Sequence, residues 1–137
     1  MLHRRLFMVL ALVLPLPGCD EEGGPAEITV DELTVMMESA EPPAVFDANG
    51  DKVRQEHGVI PGAKLLSDAS DYDVAATLPS DKQQQLVFYC SSSWCTAAKT
   101  AAKRAQAAGY SQVGYLPVGI KGWKSAGKTT EPAGADS

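Results

Sequence analysis

The feature that most limits what this chain can fold into is the stretch Leu86-Val87-Phe88-Tyr89-Cys90-Ser91-Ser92-Ser93-Trp94-Cys95-Thr96, which runs directly into Ala97-Ala98-Lys99-Thr100-Ala101-Ala102-Lys103-Arg104-Ala105. The apolar run Leu86 to Tyr89 does not alternate, as expected of a parallel strand covered on both faces. The Ala/Lys/Arg run has high helix propensity, and Gly109 supplies a stop. A cysteine at the carboxyl end of such a strand faces the N-terminus of the next helix. Backbone N–H groups converge there and the helix dipole favours an anion. Such a place lowers the pKa of a thiol and can hold a thiolate or a persulfide. Cys90 is therefore the candidate nucleophile. Ser91, Ser92, Ser93, Trp94 and Thr96 form its candidate cradle.

The rest of the chain supplies short strands and helices in alternation. Thr29-Val30-Asp31-Glu32 has the S/T-x-x-E form of a capping box and opens a helix to about Ser39, with Leu33, Met36 and Met37 on its apolar face. Pro42-Pro43 follows, then the brief strand Ala44-Val45-Phe46-Asp47 and the turn signal Asn49-Gly50. A polar helix is expected over Asp51 to His57, a strand at Lys64-Leu65-Leu66 and a helical turn or two over Ser70 to Ala76. Val113 to Leu116 reads as the last strand, Gly119 to Trp123 as the start of a last helix, and residues 128–137 as a disordered tail. This pattern predicts a single α/β domain with a mostly parallel central sheet flanked by helices. Ligands bind outside the carboxyl ends of the strands in such sheets, so Asp47 and Cys90 put a carboxylate and a thiol on one edge.

The N-terminus has a different character. Arg4 and Arg5 precede the apolar segment Leu6 to Leu14, which is too short to span a bilayer. Leu16-Pro17-Gly18-Cys19 resembles the lipobox of bacterial lipoproteins. That resemblance implies a signal peptide over residues 1–18 and lipidation (a palmitate-type chain) at Cys19. It further implies a tether over 19–27 and a membrane-anchored location in the bacterial cell envelope, facing the periplasm. An ordinary secretory signal with an incidental Cys19 is the alternative. Loss of residues 1–18 leaves ten basic against 17 acidic residues, a formal charge of −7. No basic block remains, which argues against nucleic acid as a partner. The compartment implied by that resemblance is oxidising, so the redox state of Cys90 and Cys95 becomes the central chemical question.

Four stretches, in order, resemble the rhodanese-like sulfurtransferases. Val45-Phe46-Asp47 is similar to the family's early strand ending in aspartate. Gly58-Val59-Ile60-Pro61-Gly62-Ala63 is similar to its Gly-His-Ile-Pro-Gly-Ala signature, with Val59 in place of the histidine. Tyr89-Cys90 and the loop to Cys95 resemble its active-site loop. Gly109-Tyr110, Val113 and Gly119-Ile120-Lys121-Gly122-Trp123 resemble its closing motif. The resemblance covers roughly residues 28–127. It implies transfer of a sulfane sulfur through a persulfide on Cys90, from a thiosulfate-like or polysulfide donor to a thiol acceptor, without a cofactor. The loop has the six-residue length of sulfurtransferase members and no arginine, which a phosphatase needs to clamp phosphate.

Two departures stand out. Cys95 takes the loop's sixth place, where arginine is common, and Asn49 stands where an arginine often follows the early aspartate. Cys95 is then either a thiol that resolves the persulfide, half of a dithiol/disulfide redox pair, or half of a static staple in a catalytically silent interaction domain. Asp47 is expected to orient the loop or hold a basic side chain. Two thiolates alone do not make a zinc site, and no metal is expected. A Ser-His-Asp hydrolase is excluded because no Gly-x-Ser-x-Gly is present.

Overall fold

The computed structural model describes residues 23–134. The expected signal peptide and the lipidation at Cys19 lie outside the described residues. No helix among the described residues is long and apolar enough to cross a membrane.

Among the described residues ten elements follow one another: β1 (Ala26–Glu27), α1 (Val30–Met37), β2 (Ala44–Asp47), α2 (Asp51–His57), β3 (Lys64–Leu65), α3 (Val74–Thr77), β4 (Leu86–Tyr89), α4 (Ala97–Ala107), β5 (Val113–Leu116) and α5 (Gly119–Ser125). The five strands form one sheet in the order β1-β5-β4-β2-β3. Every pairing in it is parallel. β4 lies at the centre, and all four of its residues are buried, which accounts for its unbroken apolar sequence.

Alternation along the strands sorts side chains onto two faces. Phe46 and Phe88 face Tyr72, Leu78 and the small ridge Ala98, Ala101, Ala102 and Ala105 of α4. Those alanines recur at helical spacing, so α4 presents a face of small side chains to the aromatic rings of the sheet. Val45, Val87 and Tyr89 face the other layer, built from Leu33 of α1 and Ile120 and Trp123 of α5. The capping box of α1 is formed in both directions: Thr29 Oγ1 accepts from Glu32 N, and Glu32 Oε2 accepts from Thr29 N, each at 3.1 Å.

Two expectations need correction. Ala26 and Glu27, assigned from sequence to the tether, are the edge strand β1 and pair with Gly114 and Tyr115. Residues 128–131, read as disordered tail, are docked. Val59 N donates to Glu131 O at 2.7 Å, Glu131 N donates back to Val59 O at 2.8 Å, and Trp123 Nε1 donates to Thr129 O at 2.8 Å. Gly58 permits this approach, because a Cβ there would stand 2.7 Å from Glu131 O.

Candidate active-site loop

Cys90 is the first residue beyond β4, and α4 begins seven residues later with Ala97. The intervening loop is joined to the sheet by two features. α5 lays its first turn against the loop backbone: Ile120 N donates to Cys90 O at 2.9 Å and Lys121 N donates to Ser91 O at 3.0 Å. Gly119 makes the approach possible. Its φ is +62°, and a Cβ there would stand 2.6 Å from Cys90 O and from the Ser91 carbonyl carbon. The closing Gly-Ile-Lys-Gly-Trp motif therefore acts as a clasp on the strand end.

The second feature is covalent. Cys90 and Cys95 form a disulfide, with their Cα atoms 6.3 Å apart, inside the usual range for such a bridge. Its two halves sit in different surroundings. Cys90 is only 2 % exposed and belongs to the core layer with Phe88, whereas Cys95 is half-buried at the rim of that layer. Between them a turn closes from Cys95 N to Ser92 O at 3.0 Å. Trp94 is 92 % exposed. Thr96 occupies the N-cap of α4 without a side-chain hydrogen bond to the helix, so the first-turn N–H groups are left to whatever occupies the loop.

Asp47 does not touch this loop. In register it sits beside Tyr89, one residue before Cys90, and alternation sends it to the opposite face of the sheet. There its carboxylate is fully buried, accepting from Tyr89 Oη (2.6 Å), Asn49 N (2.7 Å) and Arg54 Nε (3.2 Å). Arg54 is also buried and donates through Nη2 to the carbonyls of Asp47 (3.0 Å) and Leu66 (2.9 Å). Tyr89 Oη in turn accepts from Ile60 N at 3.0 Å. Burial, and next the adjacent Asp47 carboxylate, push the Tyr89 pKa far above the usual tyrosine range. Of the two roles open to Asp47, the structure places it on a basic side chain rather than on the loop.

Arg54 was missed because its helix, Asp-Lys-Val-Arg-Gln-Glu-His, reads as polar throughout. The signal that finds it is the missing arginine at Asn49: a buried strand-end aspartate needs a cation, and Arg54 is within one short helix of it. His57 contacts Lys124 Nζ through Nδ1 at 3.4 Å, at the surface. Among the described residues no group of three or more His, Cys, Asp or Glu side chains gathers as metal ligands would.

The sequence profile of the Rhodanese-like domain family matches residues 29–126. No curated protein sequence matches the chain. Several solved structures share the fold. A Bacillus halodurans protein superposes with a TM-score of 0.66 at 21% identity, covering 78% of this chain and 77% of its own. The rhodanese-like domain of an Anabaena protein gives 0.62 at 23% identity, with 81% and 87% covered. A single-domain sulfurtransferase of Saccharomyces cerevisiae gives 0.60 at 20% identity, with 77% and 94% covered. The family match extends from the capped first turn of α1 through the Cys90 loop to the end of α5, and by that match the chain belongs to the rhodanese-like family.

Proposed function

We propose that this domain is a sulfurtransferase or sulfur carrier that takes up sulfane sulfur on Cys90 as a persulfide, with Cys95 as the resolving thiol. The observation that carries this reading is the placement of Cys90 at the end of the central strand, ahead of an uncapped helix and within bonding reach of Cys95. In the reduced loop the Cys90 thiolate attacks the terminal sulfur of a polysulfide or thiosulfate-like donor. A new S–S bond forms on Cys90, and the shortened polysulfide, or sulfite, departs with the electron pair. An acceptor thiolate then attacks the outer sulfur and carries it off. If no acceptor arrives, the Cys95 thiolate attacks the inner sulfur, hydrosulfide leaves, and the Cys90–Cys95 disulfide closes.

The loop contains no arginine or lysine. A doubly charged oxyanion donor lacks a guanidinium partner there, which favours polysulfide or a low-molecular-weight persulfide over thiosulfate. The location belongs to the same proposal: the domain is tethered through Cys19 to a membrane of the bacterial envelope and faces the periplasm. Its basis is the lipobox-like sequence alone.

A second reading, thiol–disulfide exchange without sulfur transfer, is favoured by the disulfide itself. The two separate on sulfide release. Reduced protein is loaded with polysulfide, freed of excess reagent and left without an acceptor. The persulfide reading expects one equivalent of sulfide from the wild type and none from Cys95→Ser, which keeps its sulfur. Wild-type protein that closes its disulfide under these conditions without ever releasing sulfide sinks the persulfide reading and leaves exchange.

A further inference from the structure

We infer that a thiol reductant opens the Cys90–Cys95 disulfide at Cys95, so that Cys95 carries the mixed disulfide with a dithiol partner and Cys90 is the sulfur set free. This opening is a property of the oxidised loop and does not depend on persulfide formation.

Thiol–disulfide exchange requires a thiolate to reach one of the two sulfurs, and access decides which. The two halves of this bridge differ in access. Cys90 is 2 % exposed, packed in the layer with Phe88 and Ala98, and its carbonyl is fixed to α5 by Ile120 N at 2.9 Å. Gly119 brings that helix so close to the Cys90–Ser91 backbone that no side chain fits between them. Cys95 is half-buried and lies between exposed Trp94 and exposed Thr96. Its own backbone N–H is held by one turn bond, to Ser92 O. The rigid half is thus sealed and the looser half is at the surface.

In the first step the partner thiolate attacks Cys95 Sγ. A partner–Cys95 S–S bond forms, the Cys90–Cys95 bond breaks, and the electron pair leaves on Cys90 Sγ. The partner's second thiolate then attacks the partner's own sulfur in the mixed disulfide. This closes the partner's disulfide and releases Cys95 as a thiolate. Two electrons pass from the dithiol to the cysteine pair, and the dithiol's two protons go with them or to solvent. Cys90 becomes available to a sulfur donor only after Cys95 has been engaged.

The test uses the full chain in its oxidised form and reduced glutathione as the probe. Brief reaction is followed by N-ethylmaleimide, which caps whichever thiolate has been released. Cleavage at Lys82 and Lys99 leaves both cysteines in one peptide, residues 83–99, and fragmentation between Ser91 and Trp94 assigns each modification. The expected product has glutathione on Cys95 and maleimide on Cys90, in at least about tenfold excess over the reverse. An even mixture, the reverse assignment, or protein that arrives with both thiols free and no disulfide to open each overturns the inference. No sulfur donor is present, so failure here says nothing about persulfide uptake, and failure of uptake says nothing about which sulfur is attacked.

Discussion

Gly119→Ala tests whether the clasp between α5 and the cysteine loop holds the strand end in place. Two costs are expected. At φ +62° an alanine is in left-handed backbone, at about 1–2 kcal/mol. Its Cβ would also stand 2.6 Å from Cys90 O and the Ser91 carbonyl carbon. Both are backbone atoms that cannot rotate away, so α5 must withdraw. Withdrawal breaks the Ile120 N–Cys90 O and Lys121 N–Ser91 O hydrogen bonds, worth about 1 kcal/mol each. The sum is about 3–4 kcal/mol, a large share of the ~5–15 kcal/mol that holds a domain folded. Gly127→Ala is the control: its φ is +79° and an added Cβ would meet nothing within 4 Å, so only the backbone cost of about 1–2 kcal/mol applies. Urea unfolding of the three proteins, compared at equal slope, gives both numbers. If Gly119→Ala loses no more than Gly127→Ala, the clasp contributes nothing to holding the strand end.

Other substitutions probe the supporting network. Arg54→Met leaves the Asp47 carboxylate buried without its cation and is expected to cost about 3–5 kcal/mol; adding Asp47→Asn should recover part of that loss in the same denaturation assay, and no recovery would refute the pairing. Burial pushes Tyr72 up to about 12 and Tyr89 higher still, so both keep their protons in the folded state after unfolded tyrosine begins to ionise near pH ~10. Their contribution is complete below about pH 10 and is lost as pH rises through the folded values, by about 2 kcal/mol in total between about pH 10 and about pH 11. Tyr89→Phe should roughly halve this alkaline loss, and an unchanged slope would contradict it. Trp94→Ala removes a side chain that is 92 % exposed and should leave stability within about 0.5 kcal/mol; a larger loss would mean the ring packs in the fold.

What could be read from sequence follows from how local the causes are. The β4–loop–α4 unit and the α1 capping box were legible because each is decided by residues within a few positions of one another. Polar α2 was legible as a helix, but not its role, since the burial of Arg54 depends on where the carboxylate of Asp47 points. That direction was the harder question. Asp47 and Cys90 do share a sheet edge, yet the register pairs Asp47 with Tyr89 rather than Cys90, and one step along a strand reverses the face. β1 and the docked segment around Glu131 were invisible for a different reason. Each makes its backbone hydrogen bonds to a distant strand or loop, through Tyr115 and Val59, and neither carries the alternating pattern that marks a strand by itself. The disulfide lay between: the spacing permitted it, and only the curl of the loop brings the Cα atoms to 6.3 Å.

Persulfide uptake on Cys90 is tested most simply by the intact mass of reduced Cys95→Ser protein after exposure to polysulfide, since that variant can neither resolve nor oxidise the loop internally. The expected result is a gain of one sulfur that maps to Cys90, disappears on treatment with a thiol acceptor and is absent when Cys90 is also replaced by serine. A protein that gains no sulfur, or gains it equally without Cys90, contradicts the assignment of Cys90 as the sulfur carrier.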